Sequence, residues 1–246
     1  MKIDEILETY DNTYASEYNT TFIHADWNIN SINFQLNELK NILDNHKSWL
    51  DIACGTGFVL SQFEGIEKTG IDISPSMLKR AKEQNPDTTF HEANFLDEHS
   101  EWESKWEVVS CMWWAYCMVE SITDIRKLIR NMSNWVTEDG VCFLPLCNPQ
   151  KFDTNTIKIP YIDKNVPGDI RITSIVWSWK QENGKRHDNV VSPLVDHMVI
   201  LFEEFFDDVA IIEGDINAIG EGWRVQDILV ARGKKNKKDL DLLINW

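Results

Sequence analysis

The chain has 246 residues, of which 43% are hydrophobic and 26% charged, so it can bury a full core and is not a disordered segment. Its 24 Lys and Arg residues against 40 Asp and Glu residues give a net charge of −16, which opposes binding to nucleic acid and to anionic membranes. Five scattered cysteines, the lack of a signal-peptide pattern and the lack of an apolar run of about 18 residues predict a cytoplasmic protein outside the membrane.

Residues 1–45 are predicted to form an N-terminal helical lid. Apolar residues recur at helical spacing near both ends of this stretch, around Ile6 and around Leu39. The polar and aromatic residues from Tyr14 to Asn30 interrupt that pattern and predict a loop or a broken helix between two helices.

From residue 48 onward the pattern changes to strands that alternate with helices. Strands are predicted at 48–53, 68–72, 88–91, 106–112 and 141–146. Helices are predicted at 58–63, 74–84 and 121–135, with turns at 55–57 and 138–140. This alternation predicts an α/β fold with a parallel, doubly wound, Rossmann-like sheet.

The last hundred residues differ in pattern from the middle of the chain. Residues 150–195 are predicted as a small antiparallel β insertion over the acceptor site, with strands at 156–162 and 170–180 and a hairpin turn at 182–185 that contains Asn-Gly. A helix at 197–206 and strands at 209–212 and 225–231 follow. Because the last strands are expected to join the main sheet, residues 1–246 are predicted to form one domain.

The strongest chemical signal lies in the turn after the first predicted strand. Leu50-Asp51-Ile52-Ala53-Cys54-Gly55-Thr56-Gly57 places two glycines between a strand and a helix, where the backbone can approach a ligand closely. Asp72 ends the next strand, the position at which a carboxylate accepts hydrogen bonds from ribose hydroxyls in doubly wound folds. Together these features predict a cofactor that contains adenosine.

Two departures from nucleotide-binding motifs narrow the choice of cofactor. The position of the third glycine of a dinucleotide motif is Leu60, and the loop lacks the Lys-Ser/Thr pair of a phosphate-binding P-loop. A pyrophosphate would be poorly held by this loop. S-adenosylmethionine (SAM) contains no phosphate and does not need the third glycine.

Several segments resemble, in register, the motifs of class I SAM-dependent methyltransferases. They are residues 50–57, 71–78, 92–95, 106–112 and 136–140. The resemblance implies a seven-stranded Rossmann-like sheet and SAM as the cofactor. It also implies which residues contact each part of the cofactor. The methionine part is assigned to Asp51, Ala53, Gly55 and Gly57, and the ribose to Asp72. The adenine is assigned to Ile73, Met77, Asn94 and Phe95, and the sulfonium side to Cys111.

The tyrosine-rich start from Tyr10 to Tyr18 is similar to small-molecule methyltransferases that fold this segment over the cofactor. The match is close to amino-sugar N,N-dimethyltransferases, although this chain has Met118 where those enzymes place a histidine. The segment 177–193 is similar to methyltransferases of bacterial surface-polysaccharide clusters. Both resemblances imply a small-molecule acceptor, with a sugar or nucleotide-sugar as the candidate class.

Candidate catalytic residues come from the lid and from the stretch after the fourth strand, where substrate residues often lie. They are Tyr10, Tyr14, Trp113 and Tyr116. Further candidates for the acceptor side are Trp114, Glu120, Trp177, Trp179 and His187. The His, Cys and acidic residues show no ligand spacing, so no metal is predicted.

The sequence therefore predicts a small-molecule O- or N-methyltransferase, either monomeric or a homodimer. A nicotinamide-dependent oxidoreductase and a non-catalytic SAM-binding protein stay open as alternatives. A nucleic-acid methyltransferase is disfavoured by the net charge of −16 and by Met112-Trp-Trp-Ala, which differs from the adenine-N6 motif.

Overall fold

The computed structural model describes residues 3–26, 28–151, 172–180, 186–215 and 226–235. Within these ranges the helices are α1 (Ile3–Thr9), α2 (Asn12–Tyr18), α3 (Ile29–Leu43), α4 (Phe58–Ser61), α5 (Pro75–Gln84), α6 (Ile122–Trp135) and α7 (Val195–Glu203). The strands are β1 (Ser48–Ile52), β2 (Glu67–Asp72), β3 (Thr89–Glu92), β4 (Trp106–Cys111), β5 (Val136–Leu146), β6 (Ser174–Lys180), β7 (Arg186–Pro193), β8 (Phe206–Ile212) and β9 (Asp227–Lys234).

Seven strands form one twisted sheet in the order β3-β2-β1-β4-β5-β9-β8. The first five are parallel, and β9 runs antiparallel to both β5 and β8. The chain order reverses at β1, because β2 and β4 flank it on opposite sides. A crevice at the carboxyl ends of the strands is expected at such a reversal, and it is where ligands bind in open α/β sheets.

Helices cover both faces of this sheet. The α6 and α7 residues Ile125, Met132 and Phe202 belong to the core on one face, and Leu39 of α3 and Leu78 of α5 belong to the core on the other. The sequence-based prediction of a doubly wound, seven-stranded sheet is confirmed.

The stretch from Tyr14 to Asn30 is a broken helix, one of the two forms expected from the sequence. The rest of α2 is followed by one π-helical turn, Asn19–Ile23, and α3 begins at Ile29. The Asp11 side chain accepts a hydrogen bond from the Tyr14 N–H at 2.8 Å and caps α2. Tyr14 and Ile23 are buried despite their irregular spacing in the sequence.

The turn predicted at 138–140 is wrong. These residues lie within β5, which begins at Val136. Trp106 of β4 pairs with Val136 and Val108 pairs with Val141, so β5 carries a wide bulge at this point. An added Cβ on Gly140 would lie 2.6 Å from the Glu107 carbonyl oxygen, which explains why glycine occupies the bulge.

Strands β6 and β7 form a separate two-stranded antiparallel sheet, called here the hairpin, in which Trp177 pairs with Val190 and Trp179 with His187. This confirms a small antiparallel sheet within 150–195. The predicted strand at 156–162 and the turn at 182–185 lie outside the described residues. The last helix was predicted to end at residue 206, but it ends at Glu203, and β8 begins at Phe206. The sequence did not locate this boundary, because a run of buried phenylalanines is compatible with both a helix and a strand.

All five cysteines are unpaired thiols with buried side chains. Among the described residues, no helix combines the length and the hydropathy that crossing a membrane requires.

Candidate functional site

The candidate site lies at the carboxyl edge of the parallel strands, where the loops after β1, β2, β3 and β4 meet under the N-terminal helices. These elements enclose a cavity of about 300 Å³. A cavity at the point where the strand order reverses is the expected binding site of this architecture.

Asp72, the last residue of β2, organises the floor of the cavity. One carboxylate oxygen accepts a hydrogen bond from the Gly55 N–H at 2.8 Å, and the other accepts one from the Ser74 N–H at 2.8 Å. Burial raises the pKa of Asp72, while the backbone N–H groups of Ser74, Gly55 and Ile73 oppose that rise. The carboxylate therefore joins the two loops and keeps lone pairs available to a ligand hydroxyl.

The loop after β1 takes its shape from three residues with left-handed backbone geometry. Ala53 has φ 53°, Gly55 has φ 56° and Gly57 has φ 73°. Asp51 lies just before this loop, where its Oδ1 accepts a hydrogen bond from Ser110 Oγ at 2.7 Å. Burial raises the pKa of Asp51 to about 7, and the nearby Asp72 carboxylate adds to that rise.

The stretch after β4 is strained where it meets the cavity. Trp113 and Trp114 have φ values of 58° and 60°, a conformation that bulky residues rarely adopt. Two such residues in succession cost about 1–3 kcal/mol each and need support from their surroundings. This backbone directs the chain from Met112 into the cavity wall formed by Trp113, Ala115 and Met118.

The lid covers the cavity from the N-terminal side and is tied to both loops. Ser74 Oγ donates a hydrogen bond to the Tyr10 carbonyl oxygen at 2.8 Å, and Thr56 Oγ1 donates one to Asn19 Oδ1 at 2.7 Å. Burial and the neighbouring Tyr14 and Tyr18 raise the pKa of the Tyr10 phenol well above its usual range. The Tyr10 phenol therefore keeps its proton at neutral pH.

Most of the residues predicted from the sequence line this cavity. From the lid and the acceptor side they are Tyr10 and Trp113, and from the cofactor side they are Ala53, Gly55, Asp72, Ile73, Met77, Asn94 and Phe95. Asn94 Oδ1 accepts a hydrogen bond from the Leu96 N–H at 2.9 Å and so fixes the loop after β3. The structure brings these residues together from five separate segments.

Five predicted residues lie behind the cavity wall: Tyr14, Tyr116, Asp51, Gly57 and Cys111. Tyr116 is fully buried, and its phenol oxygen accepts a hydrogen bond from the Cys147 N–H at 2.7 Å. Tyr14 packs between Tyr10 and Tyr18, with ring centroids 5.2 and 5.7 Å away. In this conformation both tyrosines support the cavity wall from outside.

Other cavity residues were not proposed from the sequence. Tyr18, Cys54, Thr56 and Asp124 line the wall, and Glu120, considered as either a base or a helix start, lines it as well. The signal for Asp124 was present, because Ser121 and Asp124 form the capping pair of α6. The charged side chains among the described residues of the wall are all acids: Asp72, Glu120 and Asp124.

This charge pattern fits one cofactor class and opposes another. SAM combines a sulfonium and an ammonium with one carboxylate, so it carries net positive charge that these carboxylates attract. A dinucleotide would bring a pyrophosphate, and the cavity wall offers it no cationic partner among the described residues. Leu60, at the position of the third glycine in dinucleotide motifs, is fully buried in the core.

Comparisons with known proteins agree with this geometry. Residues 50–140 match the family model described as "Methyltransferase domain". A dTDP-4-amino-2,3,4,6-tetradeoxy-D-glucose N,N-dimethyltransferase of Saccharopolyspora spinosa is 28% identical over 113 residues, which cover 45% of this chain and 45% of that protein. The chain thus aligns with less than half the length of this curated relative.

Two solved structures share the fold over nearly their full length. Streptomyces venezuelae DesVI superposes with a TM-score of 0.62 and 16% identity, covering 90% of this chain and 98% of that one. SAM-bound CalS10, an amino pentose methyltransferase of Micromonospora echinaspora, has a TM-score of 0.57 and 18% identity, covering 89% of this chain and 96% of that one. The superpositions show a shared fold, and the match of residues 50–140 agrees with the resemblance to class I methyltransferases.

Proposed function

We propose that the chain transfers a methyl group from SAM to the amino group of a small sugar-like acceptor, because residues 50–140 match the methyltransferase-domain model and contribute to the cavity. The observation that carries the proposal is the acidic cavity at the carboxyl edge of the sheet. It runs from Asp72, on the cofactor side, to Trp113 and Glu120, on the acceptor side.

On the cofactor side each segment contributes a different contact. Asp72 would accept hydrogen bonds from the ribose hydroxyls, because its carboxylate lies at the end of β2 and is 9% exposed. Ile73 and Met77 would pack on the adenine, and Asn94 and Phe95 would border its edge. When bound, the cofactor supplies an electrophilic methyl group.

On the acceptor side the protein would align the acceptor with the methyl group and exclude water. Trp113, Met118 and Tyr10 line an apolar wall that keeps water from the reacting atoms. Alignment of a nucleophile with the methyl group contributes up to about 7–11 kcal/mol to lowering a barrier of this kind. Aromatic faces near a sulfonium add cation–π attraction.

The choice of nitrogen as the acceptor atom rests on two acids and one relative. Glu120 and Asp124 line the cavity and would attract a protonated amine and take the proton that it must lose before it attacks. Ser121 Oγ donates to Asp124 Oδ2 at 2.9 Å, which holds that carboxylate in place. The Saccharopolyspora spinosa relative is named for methylating an amino sugar.

The first experiment is calorimetric titration of the protein with S-adenosylhomocysteine (SAH) and with NADH. We expect SAH to bind and NADH not to bind. In Asp72→Ala, the dissociation constant for SAH should rise about 10- to 100-fold, because hydrogen bonds to a charged acceptor are lost. Glu67→Ala is the matched control, since Glu67 begins the same strand and is exposed at its far end.

Three results would contradict the proposal. Binding of NADH alone would favour the nicotinamide-dependent alternative. An equal loss of SAH affinity in Glu67→Ala would show that the effect of Asp72→Ala does not come from a direct contact with the cofactor. If SAH binds but a panel of amino sugars gives no SAH production from SAM while the corresponding hydroxyl sugars do, the acceptor atom is oxygen.

A further inference from the structure

The rings of the N-terminal segment and of the hairpin pack together, and we call this group the aromatic clasp: Tyr10, Tyr14, Phe22, Trp179 and His187. His187 stacks on Trp179, with centroids 5.3 Å apart and planes 14° apart. The His187 ring lies 6.4 Å from both Tyr10 and Tyr14, and Trp179 lies 6.1 Å from Phe22 in an edge-to-face contact. The clasp therefore joins two segments that are far apart in the sequence.

The clasp corrects the sequence-based interpretation of the hairpin. Trp177, Trp179 and His187 were candidates to line the acceptor site, with an exposed position near a turn as the alternative for His187, but none of them contributes to the cavity wall. His187 is 2% exposed and lies behind the lid tyrosines, whereas Trp179 is 37% exposed. Their contacts are with the back of the lid.

The base of the hairpin is fixed to the body of the protein. Trp177 Nε1 donates a hydrogen bond to Ser192 Oγ at 2.8 Å. Ser192 Oγ in turn lies 3.3 Å from Cys147 Sγ and 3.5 Å from Cys117 Sγ, after β5 and β4 respectively. The hairpin is thus anchored at its base and presents Trp179 and His187 to the lid near its tip.

The first helix of the lid, α1, lies at the protein surface. Helix α1 has no buried residue, and Ile3 and Leu7 are 47% and 37% exposed. Tyr10 lines the cavity on one side and touches the clasp on the other, so the position of its ring depends on both.

We propose that His187 and Trp179 are positioning residues that hold Tyr10 and Tyr14 over the cavity and so slow the release of the spent cofactor. This inference rests on the proposed function, because it takes the cavity to be the cofactor site. The hairpin, without lining the cavity itself, then sets how long the lid stays closed.

The test compares four single variants by the dissociation rate of radiolabelled SAH and by amide hydrogen exchange. Trp179→Ala removes the stack on His187, and Trp179→Phe restores a ring at the same position. His187→Ala removes the contacts to both tyrosines. Val176→Ala is the matched control, because Val176 lies on the same strand, is 63% exposed and belongs to no ring contact described here.

We expect Trp179→Ala and His187→Ala to release SAH about tenfold faster, as the loss of one or two aromatic pairs predicts. Amides of residues 3–18 should exchange faster in both variants, while amides of β1 keep the rate of the unmodified protein. Trp179→Phe should recover most of the slow release, and Val176→Ala should not differ from the unmodified protein.

The inference is overturned if Trp179→Ala binds SAH and releases it at the unmodified rate with unchanged exchange in residues 3–18. It is also overturned if exchange rises equally in β1, since the ring would then stabilise the whole fold and not the lid. Failure of the unmodified protein to bind SAH would instead refute the proposed function. Because Trp179 is partly exposed, its variants test the clasp even if His187→Ala does not fold.

Discussion

Two buried carboxylates illustrate how the position of a single residue decides its use. Asp51 lies one residue before the end of β1 and Asp72 ends the neighbouring β2, yet only Asp72 borders the cavity. The Asp51 carboxylate accepts from Ser110 Oγ, which itself accepts from Trp49 Nε1 at 2.8 Å, so it belongs to a polar chain beneath the loop. Its predicted role beside the amino group of the cofactor stays a prediction.

Gly57 and Gly65 allow a matched test of crowding at one residue. Both have left-handed φ values, 73° and 78°, but an added Cβ on Gly57 would lie 2.7 Å from Asn85 Nδ2, whereas one on Gly65 would meet no atom within 4 Å. We expect Gly65→Ala to lower the free energy of unfolding by about 1–2 kcal/mol through the backbone alone. Gly57→Ala should cost about 2–4 kcal/mol, because the crowding against α5 is added.

Urea denaturation monitored by circular dichroism measures both variants under the same conditions. Equal losses of unfolding free energy would show that Asn85 moves away at no cost. In that case the hydrogen bond from Asn85 Nδ2 to the Gly57 carbonyl oxygen, 3.0 Å long, would not constrain the loop.

At the level of whole elements, α5 and the lid share one hydroxyl group. Ser74 caps α5, because its Oγ accepts from the Met77 N–H at 3.2 Å, and the same Oγ donates to the Tyr10 carbonyl oxygen. Ser121 caps α6 in the same way, by accepting from the Asp124 N–H at 3.2 Å, but its Oγ donates to Asp124 Oδ2 and not to the lid. The two caps therefore differ in their connection to the lid.

Ser74→Ala and Ser121→Ala should each lower the unfolding free energy by about 1 kcal/mol, the usual cost of losing an N-cap. Only Ser74→Ala should also speed amide exchange in residues 3–18, because it removes a tether between the cofactor loop and the lid. Mass-spectrometric exchange of the two variants at equal stability separates the effects. Similar amide exchange of residues 3–18 in both variants would mean that the hydrogen bond from Ser74 Oγ to the Tyr10 carbonyl oxygen does not hold the lid in place.

For the molecule as a whole, the sequence predicted what local chemistry determines. The bounds of α5 and α6 were predicted closely because Ser74 and Ser121 cap helices that have a clear apolar period. The parallel sheet was predicted from the alternation of strands and helices. The position of Asp72 at the edge of the cavity was predicted from its place at the end of a strand.

Features that depend on distant partners were not predictable in this way. The extension of β5 back to Val136 depends on its pairing with Trp106, which local propensity does not encode. Tyr10 and Tyr14 look alike in the sequence, and only the packing of α2 places one ring in the cavity wall and the other behind it. For the same reason the sequence suggested that His187 is either exposed near a turn or part of the acceptor site, whereas its side chain is buried against the lid tyrosines.

Because all five thiols are buried, their reaction with an added reagent can report how the protein opens. Burial raises the pKa of Cys54 and Cys111, so both are poor nucleophiles while the fold is intact. Cys54 lies in the cavity wall, beneath the lid, whereas Cys111, Cys117, Cys142 and Cys147 lie outside that wall in the core. An alkylating reagent should therefore modify Cys54 when the lid lifts, and the other four thiols only when the sheet unfolds. In a time course followed by mass spectrometry, the rate of the first adduct would report lid opening and the rate of the later adducts would report unfolding. A ligand in the cavity should slow both, because it binds only the folded protein.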